Sequence, residues 1–322
     1  MASTDPRTIL LAAPRGFCAG VDRAIEIVEI ALERLREPVY VRHAIVHNTH
    51  VVADLEAKGA IFVEDEEDVP QGGAIVFSAH GIPPEVRARS AARGLNQIDA
   101  TCPLVTKVHY EALEYAGKGY SIILVGHEGH QEVIGTMGHA PQSINLVETP
   151  DDVWALDLPD PDKVAYISQT TLSVDETTGV IAAIRERYPN ARGPKGDDIC
   201  YATQNRQDAT KVLAQRSDLV LVVGSTHSSN SQRMVEVALA AGVRAAHLVD
   251  DASQIDPAWL EGADTIGLTS GASAPELLVD GVIERLKATD RGAVVERLDV
   301  VDEQMHFALP AKVRSLPVAR VS

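Results

Sequence analysis

Short apolar runs of strand length alternate along the chain with stretches in which apolar residues recur every three or four positions. The strand candidates are Thr8–Ala12, Ala74–Phe77, Ser121–Val125, Val164–Ile167, Leu219–Val223 and Thr265–Leu268. Between Val21 and Leu35, Ala24, Ile25, Val28, Ala31, Leu32 and Leu35 mark one stripe of a helix, and Arg23, Glu26, Glu33 and Arg34 mark its opposite face. Such alternation predicts βαβ units and a mainly parallel sheet, because each helix has one apolar stripe to lay on a layer of strands. No low-complexity segment or long linker interrupts it. No apolar run approaches the roughly 20 residues that a membrane span requires, so no membrane partner is expected.

The polar positions between these elements repeat. Cys18, Cys102 and Cys200 each sit in a loop that feeds a helical pattern, in GFCAGVDRAIEIV, ATCPLVTKVHYEAL and DICYATQNRQDATKVL. A polar loop follows each one after 29, 28 and 28 residues, at His47, His130 and Ser228. A third set lies 62, 68 and 73 residues on, at His80, Thr170 and Ser273. The pattern predicts an α/β protein of three pseudo-threefold related modules, each giving one thiol and two polar loops. Their boundaries fall at 1–101, 102–198 and 199–289, with the tail 290–322 packing back on the first. Ligands gather beyond the carboxyl ends of parallel strands, so the three thiols are expected at one central point.

Composition narrows the chemistry. With 322 residues, 45% of them hydrophobic and 23% charged, the chain can build a substantial core. Only 4% are aromatic, and 29 basic against 46 acidic residues give a net charge of −17. Base-stacking platforms and nonspecific binding to nucleic acid or anionic membrane are therefore disfavoured. The start, MASTDPRTILLAAPRGFC, lacks a basic segment followed by a long apolar one, so a cytoplasmic location is expected. An odd number of cysteines in a reducing compartment favours thiolate chemistry over a disulfide framework.

Iron–sulfur clusters usually take four cysteines, and three would leave one iron open to substrate. Such a cluster is both electron source and Lewis acid. Three-thiolate zinc is the competing chemistry, although short CxxC-like spacings are absent. His47, His80, His130, Ser228, Ser229, Asn230 and Ser273 offer neutral hydrogen-bond donors at strand ends and helix starts, which suit a diphosphate in an acidic protein. Glu132 is the carboxylic acid placed to deliver protons, and Thr170 can orient a substrate hydroxyl or relay the proton. Neither GxxxxGK[ST] nor a convincing GxGxxG after a strand is present, so electrons are expected from another protein. Three readings follow: a reductase, an iron–sulfur carrier or redox sensor, and a zinc-dependent phosphate-ester hydrolase.

The motifs PRGFCAGVDRAI, YVRHAIVHN, FSAHG, DATCPLVTKVH, GHEGHQEVIGTMG, SQTTLSVDET, DDICYATQNRQ, SSNSQR and SGASAPE, in this order from about Ile9 to Leu298, resemble one family. It is 4-hydroxy-3-methylbut-2-enyl diphosphate reductase, an oxidoreductase closing the non-mevalonate isoprenoid route. The resemblance implies a trefoil of three α/β modules around a [4Fe–4S] cluster held by Cys18, Cys102 and Cys200. It implies reductive removal of the allylic hydroxyl to give isopentenyl and dimethylallyl diphosphates, with two electrons and two protons consumed. It gives His47, His80, His130, Ser228, Ser229, Asn230 and Ser273 to the diphosphate, Glu132 to proton donation and Thr170 to the hydroxyl side. A ferredoxin or flavodoxin electron donor is implied as well.

Overall fold

Strand β1 (Arg7–Ala13) runs into helix α1 (Ala19–Arg34). Then come β2 (Val39–Arg42), α2 (Thr49–Ala57), β3 (Ala60–Val63), β4 (Ala74–Phe77), α3 (Pro84–Ala92) and β5 (Asn96–Asp99). The middle of the chain gives α4 (Pro103–Gly117), β6 (Ser121–Val125), α5 (Gln131–His139), β7 (Ile144–Val147), α6 (Pro150–Ala155), β8 (Val164–Ser168) and α7 (Val174–Arg187). The last part gives α8 (Tyr201–Ala214), β9 (Leu219–Val223), α9 (Ser229–Ala240), β10 (Ala245–Val249), β11 (Thr265–Ser270), α10 (Glu276–Lys287), β12 (Ala293–Asp299) and α11 (Ala311–Arg314). The structure, a computed structural model, describes residues 5–35, 37–289 and 291–317. Residues 1–4 of the segment read for an export signal, and 290 and 318–322 of the tail, lie outside the described residues.

Three sheets form, in the strand orders β10-β9-β11-β1-β12, β3-β2-β4-β5 and β7-β6-β8. Every pairing within them is parallel. This is the α/β class with three parallel-sheet modules that the alternation predicts. One assignment differs. The five-stranded sheet takes β1 from the range given to the first module, pairing Thr8 with Thr265 and Arg7 with Ala293. The physical reason is that Ile9–Ala12 are buried, so the N–H and C=O groups on both edges of β1 need partner strands, which β11 and β12 supply. Linear alternation of strand and helix does not say which sheet supplies those partners.

The chain forms two units. The first holds the chain up to Cys18 with His47–Val51 and Tyr201–Met305, and the second holds Ala19–Val46, Val52–Cys200 and the segment from His306 on. In the first, alternate residues of the five-stranded sheet feed two cores. Ile9, Leu11, Leu221 and Leu268 meet Val279, Val282 and Leu286 of α10, while Leu10, Ala12, Val220 and Val222 meet Ala209 and Leu213 of α8 and Met234 of α9. The second unit repeats this on the three-stranded sheet: Ile123, Val125 and Tyr166 pack on α7, and Ile122, Leu124 and Ile167 pack on α4 and α5. Its four-stranded sheet buries Ile75 and Phe77 against Val86. Burial on both faces explains why these strands read as continuous apolar runs. Among the described residues no helix is long and apolar enough to cross a membrane.

Candidate active site

In the second unit, the loop after β6 ends at His130, the N-cap of α5. The His130 ring accepts the Glu132 backbone N–H on Nδ1 at 3.1 Å, so a neutral ring carries its proton on Nε2 and presents a donor. Burial, with His127 nearby, lowers the His130 pKa to about 4, and the ring is neutral at pH 7. His80, on the loop after β4, lies edge-on to it with ring centroids 6.1 Å apart.

Glu132 is buried in the first turn of α5, and both of its carboxylate oxygens meet Thr170. The Thr170 backbone N–H donates to Oε2 at 3.0 Å, and the hydroxyl donates to Oε1 and Oε2 at 3.0 and 2.9 Å. Burial raises the Glu132 carboxyl above the ordinary range, and the Thr170 hydrogen bonds act against that rise. A carboxyl held this way keeps its proton to higher pH than an exposed one, as a proton donor requires.

In the first unit the loop after β9 caps α9. Ser228 Oγ accepts the Ser231 N–H at 3.3 Å and meets Ser231 Oγ at 3.1 Å. Ser229 and Asn230 form the first turn of that helix, buried and with no acidic residue beside them. The loop after β11 lies against this turn: any side chain at Gly271 would overlap Ser231 Oγ. Further along it, the Ser273 hydroxyl donates to the His47 carbonyl at 3.1 Å. Asn230 Oδ1 is buried without a hydrogen-bond partner among the described residues. Since amide O and N are assigned from such partners, a turned amide would aim its N–H₂ donor at that place. The first turn and positive end of α9 add to it a setting for an anion.

Each cysteine is held by the same bond. The backbone N–H of Cys18 donates to Ala272, that of Cys102 to Ala79 and that of Cys200 to Thr170, all carbonyls of the third set of polar loops. The three form no disulfide and are half-buried, and each immediately precedes a helix of 14 to 16 residues. A helix N-terminus favours thiolate over thiol, and soft thiolates are the donors iron–sulfur clusters take, so the donor set fits such a group. Among the described residues no group of three or more His, Cys, Asp or Glu side chains is placed to hold a single metal ion.

The geometry thus groups His80, His130, Glu132, Thr170, Cys102 and Cys200 in one unit, and Cys18, His47, Ser228, Ser229, Asn230 and Ser273 in the other. The sequence model of the family described as LytB protein matches residues 9–287. The chain belongs to the LytB family. It is 58% identical over 309 residues to the 4-hydroxy-3-methylbut-2-enyl diphosphate reductase of Mycolicibacterium paratuberculosis, covering 96% of this chain and 93% of that one. It is 56% identical over 308 residues to the protein of that name from Leifsonia xyli subsp. xyli, covering 96% and 91%. The solved structure of the E-1-hydroxy-2-methyl-but-2-enyl-4-diphosphate reductase from Plasmodium falciparum matches with a TM-score of 0.93 at 39% identity, covering 96% of this chain and 97% of that chain.

Some LytB residues that shape these loops are absent from the sequence reading. Gln169 is buried beside Thr170, accepts the His127 N–H at 3.1 Å and donates to Thr171 at 2.9 Å. It stands inside the SQTTLS motif, where a polar residue straight after an apolar strand is the available signal. Arg206 is wholly buried in α8. Its position in the stripe Ala202, Arg206, Ala209, Leu213 marks it, because a cation at a core position of a helix needs dedicated partners.

Proposed function

We propose that this LytB chain reduces 4-hydroxy-3-methylbut-2-enyl diphosphate to isopentenyl and dimethylallyl diphosphates, with one [4Fe–4S] cluster held by Cys18, Cys102 and Cys200. The observation that carries the reading is Glu132. It is a buried carboxyl gripped by Thr170, whose own carbonyl accepts the N–H of a cysteine. A carrier or sensor has no use for an acid at that place. When bound, the cluster would pass on the two electrons one at a time and offer a Lewis-acidic iron.

The remaining work falls to side chains. Ser228, Ser229, Asn230 and His47 hold the diphosphate with neutral donors and the start of α9, Ser273 joins them once its hydroxyl turns from the His47 carbonyl to the ligand, and His80 and His130 donate from their rings. Glu132 holds the proton that reaches the carbon skeleton or the departing hydroxyl, and Thr170 orients that hydroxyl and passes the proton. Removing ROH oxygen as water consumes two protons and two electrons, so one acid with a path to solvent or to the diphosphate suffices. The electrons come from a ferredoxin or flavodoxin type donor in the cytoplasm, in keeping with the absence of a nicotinamide-binding motif.

Anaerobic purification and assay with a reduced dye tests the reading. The expected result is a brown protein with about four irons per chain that converts the allylic diphosphate. A colourless zinc protein that hydrolyses the ester, or an iron–sulfur protein without turnover, would overturn it.

A further inference from the structure

The loops that carry the cysteines are fixed by a second, unexpected repeat. Arg23 lies on α1, the helix that follows Cys18, and its Nη1 donates to the carbonyls of Thr101 at 3.0 Å and Ala100 at 3.4 Å, just ahead of Cys102. Lys107 lies on α4, the helix that follows Cys102. Its Nζ donates to the carbonyls of Gly196 at 3.1 Å and Asp197 at 3.2 Å and to Asp198 Oδ1 at 2.6 Å, just ahead of Cys200. Arg206 lies on α8, the helix that follows Cys200. Its Nη2 donates to the carbonyls of Gly16 at 2.7 Å and Phe17 at 3.4 Å, and its Nε to Gly16 at 3.2 Å, just ahead of Cys18.

A cation on the helix opened by one cysteine therefore holds the carbonyls that lead to the next, in a closed cycle of three. Each of these hydrogen bonds lies inside one unit. The cations stand 5, 5 and 6 residues beyond their own cysteine, one turn and a half into the helix.

Chance placement of surface cations does not account for this. Arg206 is completely buried, and its charge is met by Glu303 of the C-terminal segment at 3.1 Å. Burying a guanidinium is costly unless every N–H finds an acceptor, so the site is organised around the carbonyls it holds. The same turn is fixed from its other side. The Gly16 N–H donates to Ser270 Oγ at 2.8 Å with Gly16 in the left-handed region at φ 68°, where other residues are strained. Near Cys200, Asp198 is held twice, by Lys107 and by the Ser168 N–H donating to Oδ2 at 2.9 Å. A hydrogen bond to a carbonyl fixes main chain, and main chain sets where the thiol points.

We propose that Arg23, Lys107 and Arg206 are positioning residues for the ligand loops of Cys102, Cys200 and Cys18 respectively, with Glu303 as the counter-ion that holds Arg206 in place. The proposal rests on the cluster reading for its purpose but not for its test.

The test is alkylation of each cysteine in the metal-free full-length protein, resolved by peptide mass spectrometry, with iron loss to a chelator measured in the loaded protein. Lys107→Met is expected to speed modification of Cys200 roughly fivefold and Arg23→Met that of Cys102 by a similar factor, as loss of a local restraint predicts. The cysteine that opens the substituted helix, Cys102 or Cys18, should change little, although it is the nearer in sequence. Lys107→Arg and Arg23→Lys should restore slow modification. Arg206→Met removes a buried charge and can fail to fold, so Glu303→Gln supplies the third arm and should free Cys18 alone. Loaded Lys107→Met and Arg23→Met proteins should lose iron several-fold faster than the parent.

Equal acceleration at all three cysteines, or acceleration at the cysteine of the same helix, would overturn the proposal. So would unchanged rates in all variants, even where the parent holds its iron. The stated pattern in a parent that binds no iron would keep the positioning role and sink the cluster.

Discussion

The two units fix their cysteines by one backbone device and then fill the neighbouring loops with different chemistry. In the second unit the loops hold a buried acid and two histidine rings, with Glu132 gripped by Thr170 and His130 turned by the Glu132 N–H. In the first they hold hydroxyls and an amide at the start of α9, with no acidic residue in its first turn. The hydrogen bonds from cysteine N–H to loop carbonyl depend only on the path of the chain, so they repeat wherever the path repeats. Side chains are under no such constraint. A repeated scaffold can therefore specialise: on the proposed reading the start of α9 serves the diphosphate alone, whereas the second unit adds a proton-moving acid to the histidine donors it gives the same anion.

That contrast breaks most visibly at Glu132. Glu132→Gln keeps the volume and the contact with Thr170 but has no proton to give. Turnover should fall by about 10²–10⁴, the usual contribution of a positioned acid, with iron content unchanged. Single-turnover kinetics at saturating substrate check it, and full activity in a cluster-loaded variant would remove the acid from the mechanism.

A smaller effect belongs to the other unit. Asn230→Ala takes away one neutral donor to a charged group, worth about 1.5–3 kcal/mol, so kcat/KM should fall roughly 10–100-fold. The loss should lie mainly in KM, because in the proposed site the amide meets the diphosphate in ground and transition state alike. A variant that loses kcat as steeply as Glu132→Gln would erase the division between a binding part and a proton-moving part.

How much of this was legible in the sequence depends on what leaves a residue-type signal. The strands read from apolar runs, β1, β4, β6, β8, β9 and β11, are buried along most of their length. Strands such as β5, with the sequence NQID, and β12, with AVVERLD, are mostly half-buried or exposed and carry no such run. Short β2, VYVR, is paired on both edges yet alternates in burial and escaped the same filter. The loops bearing His130, Glu132, Thr170, Ser228 and Ser273 stood out because polar residues interrupt a regular apolar rhythm at recurring distances from a cysteine, nearly constant for the nearer loops and drifting from 62 to 73 for the farther ones. The contact of Glu132 with Thr170 did not, since 38 positions separate them. Of the cations that hold the cysteine loops, only Arg206 leaves a signal, as a charge at a core position of α8, and for none of the three do the carbonyls it holds leave one. Every residue has a carbonyl, so nothing in the partner's identity betrays the bond.

The smallest effect separates the units by pH. A carboxyl whose pKa is raised by folding holds its proton longer in the native state than in the unfolded one. Above the unfolded value near 4.3 the unfolded chain releases that proton first, so native stability falls as pH rises towards the folded value. Glu132→Gln removes this dependence. In metal-free protein its midpoint relative to the parent should therefore improve between pH 5 and pH 8, by about 1–2 °C for each kcal/mol recovered. The His130 ring, with its pKa lowered to about 4, adds stability that is lost in acid, but it is common to both proteins and cancels in the difference. Asn230→Ala carries no titrating group, so its midpoint should stay at a constant offset from the parent over the same range. Calorimetry on the three proteins reads both slopes, and a Glu132→Gln offset as flat as that of Asn230→Ala would mean that the acid is already ionised in the folded chain.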